Sequence, residues 1–142
     1  MIKFENVSME YSNGTAALND VSLQIDDGEF VFIVGNSGAG KSTLLKLLTR
    51  EIVPTSGRVF VNGYNLSKMK NSKIPYFRRS LGMIFQDFRL IPNMNVFENV
   101  AFAMHVVGAD RRKIRKDVSA VLSMVGLGNK ARSMPNQLSG GE

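Results

Sequence analysis

The stretch of sequence that decides the fold is FVFIVGNSGAGKS, residues 30–42. Its first part, residues 30–34, is a short continuous apolar run, which is typical of a strand buried on both faces in a parallel sheet. Its second part, residues 35–42, matches the phosphate-loop pattern G-x-x-x-x-G-K followed by Ser or Thr. Apolar residues at helical spacing follow over residues 41–51. A strand, a glycine-rich loop and a helix in this order predict an α/β fold.

Each residue type in this loop has a physical reason to hold phosphate. Glycines let the backbone turn tightly, so that its N–H groups point inward at an anion. The start of the following helix adds a partial positive charge. Lys41 would reach the β- and γ-phosphates, and the Ser42 hydroxyl would ligate Mg²⁺. The loop therefore predicts binding of a nucleoside triphosphate, and the strand and helix on either side argue against a chance glycine-rich turn.

Turn signals and hydrophobic periodicity extend this pattern to both ends of the chain. Further strands are predicted at residues 2–9, 18–25 and 59–61, and a second buried strand at residues 82–85. The Asn13-Gly14 pair predicts a tight turn between the first two strands. Helices are predicted at residues 75–80, at residues 95–107 and after Asp110, which suits a helix N-cap.

Composition excludes several classes of protein. The chain has 142 residues, with 18 Lys and Arg against 12 Asp and Glu, which gives a net charge of +6. It has no Cys and one His, which excludes a disulfide scaffold, a Cys-ligated zinc finger and a multi-His metal site. No apolar run reaches the ~18 residues that a membrane crossing needs. Because the N-terminus lacks the apolar block of a signal peptide, a cytoplasmic protein is expected.

The positive charge alone says little about partners. An excess of basic residues is compatible with binding to nucleic acid, to an anionic membrane surface or to phosphate ligands. The largest basic cluster, residues 111–116, is interpreted as the solvated face of a helix. No aromatic residue is interleaved with this cluster, so no nucleic-acid partner is expected.

Three further motifs accompany the phosphate loop. Tyr11 precedes it, Ile84-Phe85-Gln86-Asp87 follows it, and the chain closes with Leu138-Ser139-Gly140-Gly141-Glu142. In this order the motifs resemble those of the ABC-type ATPases, where they are an adenine-stacking aromatic residue, the Q-loop and the signature motif. The resemblance covers the whole chain. It implies a P-loop NTPase core with an antiparallel β subdomain and a helical subdomain, truncated before the Walker B strand.

The resemblance also implies roles for the matching residues. Tyr11 would stack on adenine, and Gln86 would sense the γ-phosphate or Mg²⁺. Residues 139–141 would contact the ATP held by the opposite subunit of a head-to-tail homodimer. The expected catalytic residues are Lys41 and Gln86, and the expected Mg²⁺ ligands are Ser42 and Gln86. The expected ATP-binding residues are Tyr11, Gly35, Asn36, Ser37, Gly38, Ala39, Gly40, Lys41, Ser42, Thr43, Gln86, Ser139, Gly140 and Gly141.

Weaker similarities indicate which branch of the family the chain resembles. Residues 85–92, 95–101, 49–51 and 78–82 are similar to the FtsE group of bacterial cell-division ATPases. The FtsE group implies a peripheral protein at the cytoplasmic face of the plasma membrane. Its integral membrane partner, an FtsX-like permease, would dock on the segment after Gln86. The alternatives are the ATPase of a lipoprotein-releasing or macrolide-export transporter, and a non-hydrolysing, nucleotide-dependent scaffold.

The expected domain organisation is part of one ABC ATP-binding domain. Residues 1–86 would form the ATP-binding core and the β subdomain, and residues 87–142 the Q-loop exit and the helical subdomain. The Walker B Asp and Glu and the switch His of the family have no match in this sequence. We therefore expect an N-terminal part of a longer ATPase, which binds ATP while hydrolysis belongs to the full-length parent.

Overall fold

The computed structural model describes all residues from 1 to 142, which form two compact units, Met1–Met83 and Ile84–Glu142. Each unit has a hydrophobic core of its own. The mixture of an antiparallel sheet with helices confirms the predicted α/β fold class. No helix combines the length and the apolar character that a membrane crossing needs.

The first unit is built on an antiparallel sheet. Its strands are β1 (Ile2–Glu10), β2 (Ala16–Ile25), β3 (Ser56–Val61) and β4 (Tyr64–Asn65), in the spatial order β2-β1-β3-β4. Its helices are α1 (Lys41–Leu48) and α2 (Ile74–Arg78), with 3-10 turns at Leu66–Lys68 and Asn71–Lys73. These elements confirm the predictions for residues 2–9, 18–25, 59–61 and 75–80.

Tight turns connect the strands where the sequence predicts them. The N–H of Gly14 donates to the carbonyl of Tyr11 at 2.8 Å and closes the turn between β1 and β2. Asn62 and Gly63 both have positive φ, 49° and 81°, which is the conformation of the turn that joins β3 to β4. Where β3 begins beside β1, a Cβ on Gly57 would lie 2.2 Å from the carbonyl oxygen of Asn6, so this approach requires glycine.

The core of the first unit lies between the central strands of the sheet and its helices. Phe4 of β1 is paired with Val59 of β3, and the two residues are 1% and 0% exposed. Helix α1 contributes Leu47 to this core, and helix α2 contributes Phe77. Packing against this core fixes the position of α1, which begins directly after the phosphate loop.

The second unit is a pair of capped helices, α3 (Val96–Val106) and α4 (Arg111–Met124). Asn95 and Glu98 form a reciprocal capping box at the start of α3, with distances of 2.9 and 2.8 Å. The Asp110 carboxylate accepts from the N–H of Lys113 at 2.9 Å and caps α4, as predicted. The helices meet over a core formed by Val96, Ala101, Ile114, Val118 and Leu122.

Two predicted buried strands, at residues 30–34 and 82–85, do not form in this chain. Phe30 is 84% exposed and Ile84 is 99% exposed. A central parallel strand is buried only when strands pair with both of its edges and helices cover both faces. Every strand pair in residues 1–142 is antiparallel and belongs to the sheet β2-β1-β3-β4, so neither apolar run has a partner.

Candidate functional site

The phosphate loop has a backbone conformation that few residues other than glycine adopt. Gly38 and Gly40 have φ values of 83° and 84°, in the left-handed region. Gly40 is also the residue before α1, and a Cβ there would lie 2.5 Å from the carbonyl oxygen of Ala17. A side chain at position 40 would therefore push the loop away from β2.

The first turn of α1 presents free backbone donors to the loop. The first intrahelical bond runs from the N–H of Leu44 to the carbonyl of Gly40 at 2.9 Å. The N–H groups of residues 41–43 precede it and have no partner within the helix. No acidic side chain lies in this turn and no side chain caps it. The helix dipole therefore adds its positive end to a set of unpaired donors, which is a favourable site for an anion.

The Lys41 ammonium lies over the loop itself. It donates to the carbonyl oxygens of Gly35 at 2.7 Å and of Asn36 at 2.8 Å. These two bonds hold the charge at the same end of α1 as the unpaired N–H groups. A phosphate group entering the loop would offer the ammonium a charged acceptor in place of two neutral ones, which is a stronger partner.

The loop forms one wall of a cavity of about 340 Å³. Tyr11 and residues 15–17 of the β1–β2 hairpin complete its lining. The structure thus brings together Tyr11 and predicted site residues 37–43, all within the first unit. The contribution of Thr15, Ala16 and Ala17 is not predicted by the sequence pattern, because it depends on how the hairpin folds back toward α1.

A hydrogen bond fixes the aromatic ring in this cavity. The Tyr11 hydroxyl and the Thr43 hydroxyl lie 3.0 Å apart, and Thr43 is only 6% exposed. The Thr43 hydroxyl is therefore engaged with Tyr11, and the backbone N–H of Thr43 remains as the group that could meet an anion. The N–H of Tyr11 donates to the carbonyl of Thr15 at 2.9 Å. This bond fixes the backbone of Tyr11, and the bond to Thr43 fixes the outer end of the ring.

Gly35 and Asn36 lie in the first unit, where their carbonyls accept from Lys41, and the other predicted residues, Gln86 and 139–141, lie in the second unit. Gln86 is exposed, in a turn where the N–H of Phe88 donates to the carbonyl of Phe85 at 3.2 Å. Phe88 and Arg89, just after it, both have positive φ, 56° and 49°. The Arg89 guanidinium lies 3.8 Å from the centre of the Phe85 ring and 3.5 Å from the Asp87 carboxylate. These two contacts stabilise an otherwise strained turn.

Two reciprocal hydrogen bonds close the turn formed by residues 139–142 of the signature motif. The Glu142 carboxylate accepts from the N–H of Ser139 at 2.9 Å, and the Ser139 hydroxyl accepts from the N–H of Glu142 at 3.4 Å. This reciprocal pattern is a capping box, and the Ser-x-x-Glu spacing predicts it. The pKa of Glu142 is lowered by the bond from the Ser139 backbone, by the Ser139 hydroxyl and by the nearby Lys130 ammonium. Glu142 was not among the predicted site residues, although it shapes residues 139–141.

Asn99 is a second functional residue that the motif pattern does not single out. Its carboxamide oxygen accepts from the N–H of Ile91 at 2.8 Å. Its nitrogen donates to the carbonyls of Ile91, Met94 and Asn95 at 3.1, 2.8 and 3.1 Å. One side chain on α3 therefore holds residues 91–95 of the loop that follows Gln86.

The family comparison matches the chain over residues 18–142 to the model described as ABC transporter. Among curated proteins, the chain is 50% identical over 142 residues to the cell division ATP-binding protein FtsE of Bacillus subtilis. It is 49% identical to FtsE of Streptococcus pneumoniae and 46% identical to FtsE of Escherichia coli K12. All of this chain is matched, and it spans 62–64% of the length of these relatives.

Solved structures show the same architecture. A dimeric ATP-binding cassette in a post-hydrolysis state, bound to ADP and Pi, is 36% identical with a TM-score of 0.87. A dimeric bacterial ABC transporter cassette is also 36% identical, with a TM-score of 0.88. Each comparison covers 99% of this chain and 64% of the other.

Proposed function

The chain belongs to the ABC transporter family, and from this we propose that it is the ATP-binding part of an FtsE-like ATPase. The observation that carries the proposal is one cavity in which the phosphate loop, the first turn of α1 and Tyr11 meet. Such a cavity offers donors for phosphates and an aromatic face for a base. The FtsE relatives favour the cell-division branch over the exporter alternatives.

Binding of ATP follows from the groups that line the cavity. The N–H groups of residues 41–43 and of the glycine-rich loop surround the phosphates, and the Lys41 ammonium moves from two carbonyls to the phosphate oxygens. The Tyr11 ring, fixed by Thr43, packs against adenine. Lys41 thereby supplies the positive charge that stabilises phosphoryl oxygens during transfer.

Ser42 lines the cavity and offers a hydroxyl to a Mg²⁺ ion that would be shared with the nucleotide. Gln86 belongs to the second unit, and its assignment as a second ligand rests on the family motif. No group of three or more His, Cys, Asp or Glu side chains lies together in this structure. The other ligands would be phosphate oxygens and water, which suits the octahedral preference of Mg²⁺. Bound there, the ion neutralises phosphate charge.

A second copy of the chain completes the proposed site. The reciprocal bonds of Ser139 and Glu142 hold the turn between them and do not use the N–H groups of Gly140 and Gly141, which are free to face a phosphate. In a head-to-tail homodimer these donors would meet the ATP held by the other copy. The dimeric cassettes among the solved relatives support this arrangement.

The segment after Gln86 is the proposed contact with an FtsX-like permease. Phe88 is 61% exposed and Leu90 is 46% exposed, and Asn99 holds the loop that follows them. Fixed, exposed apolar residues suit a partner helix. The protein would then be peripheral, at the cytoplasmic face of the plasma membrane. In functional terms, residues 1–86 bind ATP and residues 87–142 relay its state to the partner.

Calorimetric titration of the 142-residue chain with Mg-ATP tests the nucleotide site. Lys41→Ala should weaken binding by about 10- to 150-fold, the equivalent of roughly 1.5–3 kcal/mol for a hydrogen bond to a charged group. Lys46→Ala is the matched control, because Lys46 is an exposed residue of the same helix. Equal affinities of the Lys41→Ala and parental chains would reject the assigned site.

Hydrolysis is tested in a chimera that joins this chain to the remaining part of the Bacillus subtilis relative. The chimera should hydrolyse ATP. Ser139→Arg should retain ATP binding and lose turnover, because a bulky cation blocks the contact with the second copy. Asn136→Arg, at an exposed position of the same unit, should retain turnover. A chimera that binds ATP without hydrolysing it would instead favour the nucleotide-dependent scaffold.

A further inference from the structure

The first unit carries a second, larger concavity on a surface that the nucleotide does not use. This tyrosine groove has a volume of about 580 Å³ and is lined by Tyr64, Asn65, Met69, Lys70, Lys73 and Tyr76. It shares no residue with the cavity of the phosphate loop. Its residues come from β4, from the segment with two 3-10 turns that follows, and from α2, with Met69 and Lys70 lying between the two turns.

The groove is anchored to the packed core. The Tyr64 ring contacts the fully buried ring of Phe77 edge-on, with centres 5.5 Å apart. Met69 packs against the core of the first unit, and its carbonyl accepts from the Arg50 guanidinium at 3.4 Å. The Asn65 carboxamide accepts from the N–H of Lys68 at 3.3 Å and fixes the turn after β4. A partner would meet a preformed groove, which lowers the entropic cost of binding.

Two aromatic rings border the groove and remain exposed. Tyr64 is 46% exposed and Tyr76 is 63% exposed. The Arg79 guanidinium lies 5.0 Å from the centre of the Tyr76 ring and steadies it by a cation–π contact. Together with Met69, the rings give the groove apolar walls that can hold one inserted side chain. Aromatic residues in such pockets contribute a large share of binding energy at protein interfaces.

The chain segment that forms the groove carries positive charges only. Residues 52–86 contain six Lys and Arg and no Asp or Glu. Arg58 is paired with Glu5, and Arg78 donates to the carbonyls of Thr49 and Arg50. Lys70 and Lys73, on the lining of the groove, take part in none of the ion pairs of the structure. Two ammonium groups beside an apolar pocket therefore lack a counter-charge.

We propose that the tyrosine groove binds an acidic peptide segment of a partner protein. An aromatic or apolar side chain of that segment lies between Tyr64 and Tyr76, and flanking carboxylates pair with Lys70 and Lys73. A bilayer surface cannot enter a concave pocket, and a nucleic-acid strand needs a continuous basic track with stacking surfaces. An open groove with apolar walls and a basic rim suits a peptide side chain flanked by acids.

The test uses a synthetic peptide in which one Trp is flanked by Glu residues. The chain contains no Trp, so the emission of the peptide Trp reports binding without a protein background. Peptide emission should shift on addition of the 142-residue chain. Because the groove is separate from the phosphate loop, saturating Mg-ATP should leave the peptide affinity unchanged. Competition by Mg-ATP would place the peptide at the phosphate loop and overturn the proposal.

Two sets of variants locate the binding. Lys70→Gln with Lys73→Gln should weaken peptide binding roughly three- to tenfold, as two exposed ion pairs are lost. Arg111→Gln with Arg112→Gln removes the same charge from exposed positions on α4 and should change the affinity little. Tyr76→Ala should weaken binding by about tenfold or more, while Tyr76→Phe retains it.

Several outcomes reject the proposal. If both double variants weakened peptide binding equally, the peptide would be attracted by the net charge of the chain and not by the groove. Full binding by Tyr76→Ala, with unchanged circular dichroism, would remove the ring from the site. Phosphatidylglycerol vesicles and an oligothymidylate are the remaining probes. If either bound the chain more tightly than the peptide does, and lost binding in the variant Lys70→Gln with Lys73→Gln, the groove would be assigned to a membrane or to nucleic acid instead.

Discussion

Residues 59–61 and residues 30–34 are both short apolar runs, yet they have opposite environments in this chain. Val59 and Val61 of β3 are 0% and 2% exposed, whereas Phe32 and Val34 are 78% and 86% exposed. β3 has β1 on one side and β4 on the other, while residues 30–34 pair with no strand. An apolar run therefore indicates a tendency to be buried, and partner strands decide whether burial occurs.

The largest expected effect contrasts Phe77, which lies in the same core as Val59 and Val61, with Phe32 of residues 30–34. Phe77→Ala should lower the free energy of unfolding by about 3–5 kcal/mol, because Phe77 is fully buried in the core of the first unit. Phe32→Ala should change it by about 0.5 kcal/mol or less, because the residue is 78% exposed. Urea unfolding followed by circular dichroism measures both. A comparable loss for Phe32→Ala would mean that residues 30–34 are buried in solution.

The second prediction concerns what an unpaired apolar run does in solution. Exposed strand edges and apolar patches promote association between copies of a chain. The 142-residue chain should therefore form larger species as its concentration rises, and Phe32→Lys should shift the distribution toward monomer. Phe102→Lys, at a 45% exposed position on α3, is the control and should leave the association unchanged. Sedimentation velocity over a concentration series decides. A parental chain that stays monomeric would contradict the prediction.

The features that the sequence predicts correctly are local. The Asn13-Gly14 turn, the Asp110 cap of α4 and the glycine-rich loop each depend on residues within a few positions of one another. The strands at residues 30–34 and 82–85 depend on partners far away in the chain, and the prediction fails there. Hydrophobic periodicity reports the preference of a segment and carries no information about which strand will pair with it.

The residues of the candidate site also divide into those that the local sequence predicts and those that only the fold brings together. The phosphate loop is a contiguous motif, so its residues can be predicted directly. The bond between Tyr11 and Thr43 joins residues 32 positions apart, and the tyrosine groove gathers residues from β4 to α2. Asn99 contacts a loop up to 8 positions before it. Each of these depends on the folded geometry, which turn and cap signals do not specify.

The third prediction tests one such long-range contact beside the phosphate loop. Thr43→Val keeps the shape of the side chain and removes the bond to Tyr11, which should lower the free energy of unfolding by roughly 0.5–1.5 kcal/mol. The affinity for Mg-ATP should fall while that for tripolyphosphate is retained, because only the base contacts the ring. Thr43→Ser keeps the hydroxyl and is the control. Equal loss for both ligands would show that Thr43 supports the loop and not the ring.

The smallest expected effect concerns the local turn at residues 139–142, where a sequence pattern alone predicts the geometry. The Ser139 backbone N–H, then its hydroxyl, then the Lys130 ammonium favour the charged carboxylate and hold the pKa of Glu142 below its ordinary value of 4.5. The capping contribution is therefore fully present above pH 4.5 and is lost as the pH falls through the lowered pKa of Glu142. The carboxylate is exposed to solvent, so salt screens the Lys130 contact.

Amide chemical shifts of Ser139 and Gly140, followed by NMR from neutral to acid pH, measure this loss. The Ser139 amide signal should move with the apparent pKa of Glu142, because its N–H donates directly to that carboxylate at 2.9 Å. Lys130→Gln and Ser139→Ala should each raise this pKa only part of the way to 4.5, because the largest single cause, the bond from the Ser139 backbone, stays in both. A full return to 4.5 in Lys130→Gln would mean that the charge of Lys130, and not the local turn, lowers the pKa. The turn at residues 139–142 would then depend on a more distant residue, and the distinction between local and long-range control would not hold for it.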